Sequence, residues 1–144
     1  MRIVLYAMAI AAGAAAACQA AANAALAARA GLAAALVLNT VIVLAATVVM
    51  LFAAGGPRAL PALAGAPPHH YVAGLCGFVI IACLTVAVPR LGAATTLALM
   101  VLGQGVLALV IDHFGLWSLP VVAVSGTRLF AVALLMAGVL LFRW

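Results

Sequence analysis

Acid is nearly missing from this chain: it has one carboxylate side chain, Asp112, with no glutamate and no lysine. A single carboxylate excludes the paired acid and base on which many hydrolases depend. No nucleophile stands with a base and an orienting partner, and no glycine loop could cradle a phosphate, so the chain is not expected to be an enzyme. The six arginines are scattered singly, with no basic run and no interleaved aromatics. The net charge of +5 therefore does not point to nucleic acid. Cysteine is scarce too. Cys18, Cys76 and Cys83 are odd in number, sit in apolar stretches and lack CxxC spacing, which excludes a disulfide framework and reads as small packing residues. His69 and His70 have no Cys, Asp or Glu nearby, so they are expected at an interface and not on a metal. Neither a metal nor a cofactor is expected.

Charged residues make up 5% of the sequence, where soluble domains carry roughly 25%. Hydrophobic residues make up 72%, and the mean hydropathy is +1.49. Lipid must be the solvent, and arginines in such a chain mark segment ends. A spanning helix needs about 20 apolar residues, and five candidates are found, at about 3–28, 32–54, 71–88, 93–111 and 120–142. The fold expected is an all-α integral membrane protein, one five-helix domain over residues 1–144. The first twenty residues, "MRIVLYAMAIAAGAAAACQA", mimic a lipoprotein signal. The apolar run continues past Cys18 to about Ala28, however, so it is read as a first spanning helix. The segment "GGPRALPALAGAPPHH" (55–70), with its glycines and four prolines, reads as a loop. "PRLG" (89–92) closes the third helix, and Arg143–Trp144 form an interfacial anchor pair. The fifth helix is placed from Pro120, a first-turn proline, which gives it a full span and puts Arg128 about two turns inside.

With five spans, Arg2, Arg58 and Arg128 fall on one side and Arg29, Arg90 and Arg143 on the other. Orientation follows an excess of Lys and Arg on the cytoplasmic side, and here there is no excess. Such balance suits a chain that inserts both ways and pairs with its own inverted copy.

Polar side chains in hydrocarbon are costly and face a bundle interior or a cavity. Gln19 and Asn23, four apart, share a face of the first helix. Asn39, with Thr40 and Thr47, marks the second, and Gln104, with Thr95 and Thr96, the fourth. These residues either hydrogen-bond between helices or line a substrate path; Gln19, Asn23, Asn39 and Gln104 are the candidate substrate-binding set. Asp112 closes the fourth helix at the negative end of its dipole and wants a cation. Arg128, on the next helix and the same side, is the expected partner in a structural ion pair or gate. A titrating acid or a cation-binding gate is the alternative.

"QAAAN" in the first helix, "PRLGAA" opening the fourth, "GQ" within it, "DHFGL" after it and a Ser-x-x-Arg opening the fifth resemble the DUF606 (YdcZ-like) family of the drug/metabolite transporter superfamily. The resemblance covers nearly the whole chain. It implies five-helix units in the bacterial inner membrane, working as antiparallel pairs or fused tandem copies. Where that family often carries a Ser-Phe pair in the second helix, this chain has Asn39 and Thr40. The related small multidrug exporters place an essential Glu in the first helix, and this chain has no acid there. The function expected is a small transporter subunit, an inverted homodimer moving a small polar or amphipathic metabolite by alternating access among membrane lipids. The alternatives are a lipid flippase or scramblase, and a non-transporting module that stabilises a larger membrane partner.

Overall fold

A computed structural model describes residues 2–142, so the Arg143–Trp144 anchor pair lies outside the described residues. Five helices follow in chain order: α1 (Arg2–Ala30), α2 (Leu32–Ala53), α3 (Val72–Leu91), α4 (Ala93–Phe114) and α5 (Gly126–Leu141). Short 3-10 turns occupy Pro57–Gly65, Pro68–Tyr71 and Leu116–Ser118, and no strand occurs among the described residues. The protein is all-helical, with four helices long and apolar enough to cross a membrane and a shorter fifth.

The helices are apolar all round. Residues as large as Ile3, Val37, Phe78, Leu107 and Phe130 present most of their surface outward, while the buried set is sparse: Ala20, Ala24, Ala35, Leu36, Leu84, Leu102 and Val139. An inside-out distribution of this kind is stable only where the surroundings are as oily as the helices. Every backbone N–H and C=O of the span must then be satisfied within its own helix.

The chain forms two compact units, Met1–Val86 and Ala87–Trp144. In the first, α1 packs against α2 across a break of one residue, Gly31. Its φ of +85° with ψ of 159° lies in a region open essentially to glycine alone. Gly92, at φ +81° and ψ 154°, makes the same kind of break between α3 and α4. Each glycine keeps the ladder continuous: its N–H reaches back to Ala27 or Val88, and its carbonyl accepts from Ala35 or Thr96. In the second unit α5 runs antiparallel to α4. Arg128 meets Asp112, Leu135 lies against Gly105 and the Phe142 carbonyl accepts from Thr95 Oγ1, so the chain climbs one helix as it descends the other.

Three boundaries differ from the sequence expectation. The fifth helix starts at Gly126, not at Pro120, because the Ser125 side chain caps it by accepting the Arg128 N–H. Arg128 is accordingly in the first turn. The 16-residue helix is only about 24 Å long at 1.5 Å per residue. Pro89 does not stop α3, which runs on to Leu91 although the proline forgoes the N–H bond back to the Thr85 carbonyl; the glycine at 92 ends the helix. α4 continues through Phe114 and so includes Asp112 and His113, with Gly115 as a left-handed cap at φ +59°. A β-carbon on Gly115 would come within 2.7 Å of Val121 Cγ2 and 2.9 Å of the Leu119 oxygen.

Candidate functional site

The first unit gathers three amide side chains at one point. Asn23 and Asn39 each stand eight residues from Gly31, so folding α1 onto α2 at that glycine brings them opposite one another. Asn23 Nδ2 donates to Asn39 Oδ1 at 3.3 Å, and Gln19 Nε2, one turn further along α1, donates to the same oxygen at 3.1 Å. Asn39 Oδ1 is thereby saturated. Asn39 Nδ2 is buried and has no hydrogen-bond partner among the described residues. Exchanging the two ends of the amide moves the vacancy to the oxygen without removing it, since both neighbours approach one end. Asn23 and Asn39 retain 4% and 9% of their exposure, while Gln19 is exposed. A buried, unsatisfied amide is costly, about 1–3 kcal/mol, and native structures contain few. At 1.5 Å per residue the Asn23–Asn39 contact lies about 12 Å from the Gly31 turn and Gln19 about 18 Å. With Gly31 at the edge of a hydrocarbon core roughly 30 Å thick, these distances would bracket its middle.

The threonines of α2 (Thr40, Thr47), and Thr85 on α3 and Thr96 on α4, make no such links. Thr40, Thr47, Thr85 and Thr96 each return their hydroxyl to a carbonyl three or four residues back in their own helix. An open groove of about 630 Å³ flanks α2, lined by Leu32, Ala33, Leu36, Val37, Thr40, Val41 and Phe78, and it is almost wholly apolar.

The second unit holds the ion pair. Arg128 Nη1 donates to Asp112 Oδ2 at 3.0 Å, and the two side chains keep 36% and 38% of their exposure. Residues 119–125 run back over the end of α4 in extended form. The Val122 N–H donates to the Asp112 carbonyl at 2.8 Å and the Val124 N–H to His113 Nδ1 at 3.4 Å. At the corner before this strap Trp117 and Ser118 take φ values of +55° and +63°, which side-chain-bearing residues seldom adopt. Gln104 belongs to this unit. It is exposed on α4 and makes no side-chain hydrogen bond among the described residues, so the amide cluster is built without it. Sequence reasoning did not single out the glycine at 31 as the pivot of the site, the Ser125 cap or the acceptor role of His113. The Ser-Gly-Thr-Arg run was the available signal for the cap.

Among the described residues no group of three or more His, Cys, Asp or Glu could hold a metal ion. What the arrangement can offer is neutral hydrogen bonding at mid-span and a charge pair at one helix end. Over residues 4–141 the chain matches the family described as "Putative inner membrane exporter, YdcZ". No curated protein and no solved structure matches it.

Proposed function

Because the chain belongs to the YdcZ family of inner membrane exporters and is an integral protein of that membrane, we propose that it is one subunit of an antiparallel homodimer. The dimer moves a small polar or amphipathic solute by alternating access. Gln19, Asn23, Asn39 and Gln104 of both copies line the path. The observation that carries this reading is Asn39 Nδ2, a buried amide donor without a hydrogen-bond partner among the described residues.

Depth supports the pairing. In a core about 30 Å thick, turning one copy over exchanges the depths of Gln19 and Asn39, about 18 and 12 Å from the Gly31 face. Amides from both chains then fall within about 3 Å of the midplane. Gln104 stands twelve residues beyond Gly92, the distance that separates Gln19 from Gly31. The same operation sends the two Asp112–Arg128 pairs to opposite faces, one at each mouth. Inverted repeats around a midplane site are a common transporter solution, and an odd number of helices lets two copies of one chain make such a pair.

Two measurements test the reading. Reporter fusions after Trp144 should show both orientations at comparable levels, and two extra arginines in the 55–70 loop should drive the chain to one of them. A native chain already one-sided would end the homodimer proposal. In proteoliposomes, Asn39→Leu should lower solute flux per folded protein at least tenfold; because it also takes the shared acceptor from Asn23 and Gln19, flux is normalised to folded yield.

A further inference from the structure

We infer that the transport step is electroneutral and moves no proton, so that solute crosses down its own gradient or in exchange for another neutral solute. The inference rests on the transporter reading above and deepens it by fixing the charge of the cargo and the absence of a proton-driven engine.

The charged side chains and the histidines are placed at the edges. Arg2 opens α1 and Arg29 closes it; Arg90 lies in the last turn of α3 and Arg128 in the first turn of α5. Asp112 and His113 lie in the last turn of α4, and Arg58, His69 and His70 in the 3-10 turns before α3. Near mid-span the polar set is Gln19, Asn23, Asn39 and Gln104, which neither gain nor lose protons at any physiological pH. Cys18, Cys76 and Cys83 are free, exposed and hydrogen-bonded to none of these amides.

Coupling to protons needs a group that takes a proton from one side and gives it up on the other, and such groups are acids or bases set inside the membrane. The chain's one acid is at the wrong depth: Asp112 stands twenty residues from Gly92, about 30 Å along α4. Its carboxylate is held at 3.0 Å by Arg128 at that same helix end. A second copy contributes the same residue types, so dimerisation adds no carrier. The same emptiness selects the cargo. A charged solute at the amides would meet no counter-charge, a disadvantage of roughly a hundredfold against a neutral solute of similar size.

The test uses the full-length chain in proteoliposomes, with acetamide, glycerol and nicotinamide as neutral probes and tetramethylammonium and lactate as charged ones. At least one neutral probe should equilibrate about tenfold faster than in protein-free vesicles. Its rate should stay within twofold under an imposed potential of about 100 mV, which would drive a singly charged species about fiftyfold. A trapped pH dye should stay silent during flux. Installing the missing acid should create what the native chain lacks: in Gln19→Glu, at the exposed edge of the cluster, and in Asn39→Asp at its centre, flux should change about tenfold with pH. Flux of charged probes alone, dependence of native flux on potential, or internal acidification would overturn the inference and leave the transporter reading standing. If no probe of either kind moves faster than in empty vesicles, both fall.

Discussion

In the α1–α2 hairpin three neutral amides meet near mid-span; in the α4–α5 hairpin an acid and an arginine meet at one end. The first contact is buried and leaves an amide unpaired, whereas the second is more than one-third exposed and complete. Both hairpins join helices through polar contacts, yet the depth of each contact dictates its chemistry. A charge at mid-span has no water to relax into, so only groups without net charge are tolerable there. At a helix end, water and the helix dipole both reach the side chain, and a carboxylate is tolerable once a cation answers it. The charged contact, despite its stronger Coulomb attraction, is partly solvated and contributes only modestly to stability.

The sharpest way to break this comparison is to swap amide and acid in both hairpins. Asn39→Asp should destabilise the protein by about 3 kcal/mol, the cost of a charge at the centre of a span, in chemical unfolding from detergent micelles. If it is tolerated as well as a surface change, the cluster is not at mid-span. Next in size is Gly31→Ala. The glycine-only backbone there should cost about 2 kcal/mol, read as loss of cooperative unfolding of the first hairpin, even though an added β-carbon meets no atom within 4 Å. The reverse swap, Asp112→Asn, should cost only about 1 kcal/mol because the pair is partly solvated. Arg128→Gln should cost about as much, and the double variant should recover about half of the combined loss in a thermodynamic cycle. The smallest effect belongs to His113→Leu. It removes the acceptor for the Val124 N–H, so hydrogen exchange across residues 122–125 should speed up several-fold with the melting temperature almost unmoved.

Length and composition made the helices legible. An apolar run of twenty residues has few alternatives in lipid, and glycine or arginine at its ends marks where it stops. The i, i+4 spacing of Gln19 and Asn23 likewise put both on one face. That the two share a single acceptor was not legible from hydropathy, because it depends on how tightly α1 folds onto α2. A one-residue turn at Gly31 is what sets Asn23 opposite Asn39. The start of α5 went against expectation because two signals competed there. Pro120 can open a helix, but Ser125 caps one, and the β-branched Val121, Val122 and Val124 favour the extended strap whose Val122 N–H reaches the Asp112 carbonyl. The left-handed corner at Trp117 and Ser118 had no signal at all, since neither residue type prefers positive φ.

The one-residue turn at Gly31 also sets the order in which the protein takes shape. Its contacts join residues only 16 and 20 positions apart, while the far end of α4–α5 closes over 47. Loop closure across so short a span costs little entropy, and short-range contacts form early. The first hairpin should therefore close as soon as α2 has left the ribosome, while Asp112 has yet to emerge. For that interval the nascent protein carries its open amide in a bilayer with nothing to bind. A chaperone or partner copy that shields Asn39 during this window would act on yield, and a substitution there would be felt in biogenesis as well as in flux.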